Sequence, residues 1–295
     1  MMWNRLFTLA LVVYLPIGFP ATTMAQQQCS TPNIKGTYAV SYTGTASYTG
    51  TADEEPFAAV GTLKVDGSAV TLNVDVVNHS INDPKKTTAT VINSGILTKN
   101  PDRTSTVKWN SPYPSLWPVD SEQVLILNNG DEIHLTWLNH GVASGTALRM
   151  TSSLNDIHNC SDHFVRGIYA QTCNIDLLAF QGSPGSTKGS YSGTLQSPGD
   201  GTFVGNGALN LGSLLTESTQ YVGGSYSVGD NCRGTAQFNF SPLDGPLDGT
   251  NPVGKWKEKI VVFNQGKDML TTTTSTPSST GLNIVDLCRL TRISQ

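Results

Sequence analysis

Residues able to do chemistry are sparse in this chain, and most stand at spacings that chemistry does not use. His158, Cys160, Asp162 and His163 fall within six positions. Imidazole, thiolate and carboxylate are zinc-ligand types, but zinc sites pair their ligands at regular short steps, and this spacing matches none. Glu132 and His134 share one strand face, a pairing that acid–base work could use. Ile133, Leu135 and Trp137 claim the opposite face, so the pair reads as a solvated outer surface. Glu54-Glu55 is an adjacent acid pair after a threonine-rich stretch, which reads as a charged loop. Gly182-Ser183-Pro184-Gly185 and Gly185-Ser186-Thr187-Lys188-Gly189 are turn material and form no Gly-x-Ser-x-Gly nucleophile elbow. Gly201-Thr202-Phe203-Val204-Gly205-Asn206-Gly207 lies between strands, with no helix to receive a phosphate. The expectation is no catalytic set, no metal and no cofactor.

The strongest binding signal is aromatic. Trp109-Asn110-Ser111-Pro112-Tyr113-Pro114-Ser115-Leu116-Trp117-Pro118 places three rings and three prolines in ten residues. Prolines stiffen a loop, and rings on a stiff loop stack on apolar ligands or sugar faces. Trp109, Tyr113 and Trp117 are therefore the candidate ligand-binding residues. Large aromatics mostly carry core energetics, so the competing and stronger expectation has Trp109 and Trp117 plugging a barrel end.

The elements that must position these residues come in two copies. Cys29-Ser30-x-x-x-Ile34-Lys35-Gly36-x-Tyr38-Ala39 recurs 131 positions later as Cys160-Ser161-x-x-x-Val165-Arg166-Gly167-x-Tyr169-Ala170. Gly61-Thr62-Leu63 matches Gly193-Thr194-Leu195, and Asp66-Gly67 matches Asp200-Gly201. Val124 to Asn128 matches Ile260 to Asn264 at an offset of 136, each run leading into an Asn-x-Gly turn. Leu63 and Val65, then Val70, Leu72, Val74 and Val76, alternate with polar residues around Asp66-Gly67, the pattern of a tight hairpin. Ile133, Leu135 and Trp137 continue a second hairpin after Asn128-Asn129-Gly130. Tyr226 and Val228, then Ala236, Phe238 and Phe240, form a further strand pair in the second copy. No segment repeats at 3.6 residues for long enough to make a major helix. The fold class expected is all-β: two tandem antiparallel β-barrel-like domains, lipocalin-like or sandwich, with strands buried on one face.

Bulk properties agree. Charged residues are 14% of the chain, against roughly 25% in typical globular proteins. A net charge of −4 without a basic run gives no footprint for nucleic acid or anionic membrane. Arg5, the apolar stretch Leu6 to Phe19 and Thr23-Met24-Ala25 read as a signal peptide over 1–25, cleaved after Ala25. The apolar stretch is 14 residues long, shorter than the ~20 a membrane-spanning helix needs. No transmembrane segment is expected elsewhere. Residues 26–150 form domain 1, 151–159 a polar linker, and 160–295 domain 2. Of five cysteines, four lie in the second copy, and the first has Cys29 alone. Four cysteines allow three pairings, and spacing does not choose among them.

Cys160-Ser161-x-x-x-Val165-Arg166-Gly167-x-Tyr169, then Gly193-Thr194-Leu195, Asp200-Gly201 and Gly224-Ser225-Tyr226-Ser227-Val228-x-x-x-Cys232-x-Gly234-Thr235, resembles a group of uncharacterised secreted bacterial proteins. That resemblance covers most of both copies and implies a β-barrel-like fold and no activity. It features Cys160 and Cys232, which implies the bridges Cys160–Cys232 and Cys173–Cys288 and leaves Cys29 without a local partner. A second, weaker resemblance is to lipocalin-like barrels, which open on Gly-x-Trp and close with an arginine over that ring. Gly36-x-Tyr38 and Gly167-x-Tyr169 open the copies here, and Arg149 and Arg289 or Arg292 close them.

The function expected is that of a secreted or periplasmic non-enzymatic binding protein for a small hydrophobic molecule, a glycan or a protein. The alternatives are a cavity-type barrel enzyme of the cyclase or isomerase kind, and a structural or adhesion surface protein.

Overall fold

The computed structural model describes residues 34–47, 54–79, 86–100, 104–110, 117–151, 160–180, 183–211, 218–242, 254–275 and 283–295. The signal-peptide segment, Cys29, Tyr113, His158 and all of the linker but Thr151 lie outside these residues. Among the described residues no helix is long and apolar enough to cross a membrane.

Among the described residues, sixteen strands make two closed barrels. The first contains β1 (Gly36–Ser47), β2 (Glu54–Asp66), β3 (Ala69–His79), β4 (Lys86–Lys99), β5 (Ser105–Trp109), β6 (Ser121–Leu127), β7 (Glu132–Trp137) and β8 (Gly141–Thr151). The second contains β9 (Arg166–Phe180), β10 (Ser183–Pro198), β11 (Thr202–Asn210), β12 (Ser218–Val228), β13 (Arg233–Pro242), β14 (Gly254–Phe263), β15 (Asp268–Ser275) and β16 (Asn283–Ser294). Each strand pairs antiparallel with the next, and the last returns to the first, β8 on β1 and β16 on β9. Closure gives every strand a partner on both sides over at least part of its length.

The turns follow from their residues. The β2–β3 hairpin closes at Asp66↔Ala69 through Gly67, whose φ of 65° suits glycine. The Asn-x-Gly turns are backbone copies of each other. Asn128, Asn129 and Gly130 have φ of 49°, 56° and 92°, and Asn264, Gln265 and Gly266 have 51°, 55° and 74°. Asparagine tolerates the left-handed region through local hydrogen bonding, so the sequence repeat becomes a conformational repeat.

The expectation of strands buried on one face holds over much of each barrel and fails along one seam. Ala39 and Val60 of barrel 1 pack with Val261, Phe263 and Leu270 of barrel 2, flanked by Leu148, Met150 and Leu287. Ala58 and Val77 meet Val285 in the same way. Phe57-Ala58-Ala59-Val60 and Ile260-Val261-Val262-Phe263 are continuous apolar runs because their strands are buried on both faces. A polar contact fixes the seam. Arg233 of β13 donates to Asp75 Oδ2 and Asn73 Oδ1 on β3, and Thr90 Oγ1 donates to Asp75 Oδ1 at 2.6 Å. The Arg233 and Asp75 side chains are 12% and 9% exposed. Residues Pro32–Gln295 form one compact unit.

Candidate functional site

The two tryptophans that bound the aromatic segment of barrel 1 turn inward. Trp109 ends β5 and is 3% exposed, and Trp117 is fully buried. The Trp117 ring centroid lies 5.0 Å from Tyr42, 5.4 Å from Phe57 and 5.2 Å from Trp137, mostly edge-on. Such contacts are the favoured geometry for ring quadrupoles. Neither indole presents a face to solvent.

These rings surround a residue that no sequence motif marks. Glu122 of β6 is fully buried, on the same face as Val124. Tyr42 OH donates to its Oε2 at 3.0 Å, and Trp109 Nε1 donates to its Oε1 at 3.2 Å. Burial raises the carboxyl pKa to about 7, against the lowering pull of those two donors. Burial, then the Glu122 charge, pushes the Tyr42 phenol well above its ordinary value. Tyr42 reaches this position because its cross-strand partner is Gly145. A Cβ on Gly145 would stand 2.6 Å from the Tyr42 ring.

Barrel 2 carries the counterpart. Glu258 of β14 is Glu122 plus 136, the offset of the repeated hairpin, and is 3% exposed. Asp286 and Cys288 of β16 join it, with potential ligand atoms of all three within 4.8 Å of one another. The cluster does not suit a metal, because the Cys288 sulfur is bonded to Cys173 and is no thiolate. Asp286 serves the fold. Thr273 N and Oγ1 both donate to its carboxylate at 2.6 Å, and Thr272 Oγ1 donates to its backbone oxygen at 2.7 Å. Burial and the Glu258 charge raise the pKa of Tyr191, whose hydroxyl would lie 2.2 Å from a Cβ on Gly207.

The closing seam shows how the copies diverge. Barrel 2 pairs Cys173 with Cys288 across β9 and β16, and they are disulfide-bonded. The matching positions of barrel 1 are Tyr42 and Gly145, also directly paired. One copy joins the seam by a covalent bond, the other by a ring laid over a glycine. Cys160–Cys232 is the second bridge, tying the start of barrel 2 to the turn between β12 and β13.

Each barrel has the same polar lock at one end. Arg149 lies over the Tyr38 ring at 5.0 Å and donates to Gly130 O at 2.7 Å, and Tyr38 OH donates to the same carbonyl at 2.8 Å. In barrel 2 the cation is Arg292, 5.7 Å from the Tyr169 centroid, while Tyr169 OH donates to Gly266 O at 2.6 Å. Of the two arginines the sequence offered, Arg289 instead points toward Asp268, at 3.5 Å.

The remaining candidates have ordinary partners. His134 Nε2 lies 2.7 Å from Glu132 Oε1 on the outer surface. Asp162 Oδ1 accepts from Val228 N at 2.6 Å, and His163 is exposed. Glu55 is 8% exposed, on the face of β2 that carries Phe57.

The interior of barrel 2 holds little free space. Tyr169, Leu195, Phe203, Tyr226 and Met269 line a space of about 20 Å³ in barrel 2. One water occupies roughly 10–15 Å³ on this measure, so a lipid does not fit. Eight-stranded barrels are just wide enough for side chains to fill, and these side chains fill this one.

No protein-family model matches the chain, and no curated protein matches it. Among solved structures, it is similar to a protein of unknown function from the DUF3598 family of Nostoc punctiforme. That match has 8% identity over 89% of this chain and 97% of the other, with a TM-score of 0.23. It is also similar to isotype 1 transferrin binding protein B of serogroup B Neisseria meningitidis. Here identity is 10% over 88% of this chain and 77% of the other, with a TM-score of 0.29. At such scores neither structure bears on what this chain does.

Proposed function

We propose that this protein is an extracytoplasmic, non-enzymatic binding protein that meets its ligand on the outer surface of a solid double barrel. One observation carries the reading: the interiors are spent on the fold. Both Glu122 oxygens accept bonds from core aromatics, Asp286 is held by Thr273, and the cavity in barrel 2 is about 20 Å³. Two disulfides support a location outside the cytoplasm, where such bonds persist. Trp109 and Trp117 act as core, and no ligand contact is assigned to them.

The cavity-enzyme reading draws on Glu122, because a carboxyl with a pKa of about 7 beside a tyrosine is what a general acid would require. Its oxygens are already engaged by Tyr42 and Trp109, which favours a structural role.

Native mass spectrometry of protein purified gently from its own compartment tests the proposal. A ligand held by surface polar contacts dissociates as salt is raised. A hydrophobic molecule that survives 1 M salt and leaves only on unfolding would place the ligand inside a barrel and overturn the reading.

A further inference from the structure

The two barrel ends that share the tyrosine–arginine lock differ in charge. In barrel 1 each cation at this end has a carboxylate. Lys35 Nζ lies 2.9 Å from Asp66 Oδ1, and Arg149 Nε lies 2.9 Å from Asp131 Oδ1. Barrel 2 keeps the cations, as Arg166 and Arg292, but the position matching Asp131 is Lys267. The match is set by the turn itself, since Asn128-Asn129-Gly130-Asp131 and Asn264-Gln265-Gly266-Lys267 share one backbone conformation.

This charge reversal falls at a cleft. Arg166, Lys267, Arg292 and His163 line a volume of about 530 Å³ together with Gln265 and Gln295, and no acidic side chain lines it. Among the described residues, Arg166, Lys267 and Arg292 form no salt bridge. Arg292 is already positioned. Its Nε donates to Tyr169 OH at 3.3 Å, and its NH2 group donates to Phe164 O at 2.8 Å and Gln265 O at 3.2 Å. Those acceptors are neutral, so the guanidinium is fixed but its charge is not cancelled. Asp162, Asp200 and Asp268 stand nearby without lining the cleft, and Asp268 lies 3.5 Å from Arg289. Asp162 accepts from Val228 N, and Asp200 accepts from Thr202 N at 3.0 Å and Thr202 Oγ1 at 2.6 Å. A concave surface lined by one sign of charge concentrates counter-ions. Its volume is in the range of small-molecule sites.

We propose that this cleft at the β9–β14–β16 end of barrel 2 binds a small molecule through a phosphate-type oxyanion. The site rests on the surface-binding reading above and gives it a location and a ligand chemistry. A fixed arginine and an exposed lysine suit a tetrahedral oxyanion, with the planar guanidinium giving directed bonds and the ammonium a point charge. The repeat supplies an internal control, because barrel 1 presents the same frame with its cations neutralised.

Calorimetric titration of the full chain with inorganic pyrophosphate at low ionic strength tests the site. Saturable one-to-one binding is expected, lost at 0.5 M salt. Lys267→Asp, which recreates the carboxylate of barrel 1, is expected to weaken it about tenfold or more while leaving the melting temperature unchanged, since Lys267 is an exposed turn residue. Absence of saturable binding to the wild type, or equal binding by Lys267→Asp, overturns the proposal. Flotation with phosphatidylglycerol vesicles separates the sources. Lys267-dependent flotation assigns the oxyanion to a lipid headgroup, and pyrophosphate binding without flotation assigns it to a soluble molecule. If Lys267→Asp retains a salt-releasable native ligand and the wild type ignores pyrophosphate, the oxyanion site fails and the surface-binding reading stands.

Discussion

Replacing Cys173 and Cys288 together with alanine lowers stability by about 5 kcal/mol in the chain-entropy view of a 115-residue loop. Replacing Cys160 and Cys232 costs about 4 kcal/mol, for a loop of 72. The larger effect belongs to the pair that joins the first and last strands of barrel 2, where loss of the bond also leaves space in a buried wall. Urea unfolding of both double variants, each against the oxidised wild type, measures this. A change under about 1 kcal/mol for Cys173→Ala/Cys288→Ala would mean that the seam does not depend on its bond. Barrel 1 closes the same seam without a disulfide, by Tyr42 over Gly145, so reducing agent is expected to loosen barrel 2 in preference to barrel 1.

The second large effect is a pH dependence set by Glu122. Its carboxyl moves from 4.5 to about 7 on folding, chiefly by burial. Below 4.5 it is protonated in the folded and unfolded chain alike, and burial carries no charge penalty. Between 4.5 and about 7 the unfolded chain has released the proton and the folded chain still holds it. The folded state then binds more protons, so stability falls as pH rises through this window. Above about 7 the loss is complete, at about 3 kcal/mol. Glu122→Gln removes this contribution while keeping partners for Tyr42 and Trp109, since an amide oxygen accepts from the indole and a phenol oxygen accepts from the amide. The variant is expected to match the wild type near pH 4.5 and to exceed it by up to about 3 kcal/mol at pH 8. Urea midpoints across that range read the difference directly. A wild type and a variant that stay parallel throughout would show that Glu122 is already ionised and solvated at neutral pH.

Much of the fold was legible in the sequence because β structure writes itself in period 2 and in turn chemistry. Val70, Leu72 and Val74 announced a one-sided strand, Asp66-Gly67 its hairpin, and the two Asn-x-Gly turns a duplicated frame. The seam between the barrels was less legible. A continuous run such as Ile260-Val261-Val262-Phe263 shows that a strand is buried on both faces but not what covers the second face. The interior carboxylates escaped for a different reason. Ser121-Glu122-Gln123 reads as a polar lead-in, and only the strand register turns Glu122 inward. The repeat held a usable signal, since Glu122 and Glu258 stand two residues before the aligned Val124 and Ile260, on the apolar face of each strand. The choice of Arg292 over Arg289 was a matter of register alone, because neighbouring residues on a strand face opposite ways. The aromatic segment was read from composition, which cannot distinguish a ring offered to solvent from one packed in a core.

The same register explains why the oxyanion cleft has no motif. Its residues come from the start of β9, the turn after β14 and the end of β16, and the first of these stands far from the other two in sequence. What can be read in the sequence is the exchange of Asp131 for Lys267 between two copies of one turn.

On the function proposed above, the barrel interiors are solid and binding belongs to the outside. Four of the five tryptophans, Trp109, Trp117, Trp137 and Trp256, are buried in the two barrel cores, so intrinsic fluorescence reports on both interiors. Titration with oleate and with N-phenyl-1-naphthylamine is the direct test. Tryptophan emission unchanged to ligand excess, without energy transfer to the probe, is the predicted result; saturable one-to-one quenching or transfer would contradict it.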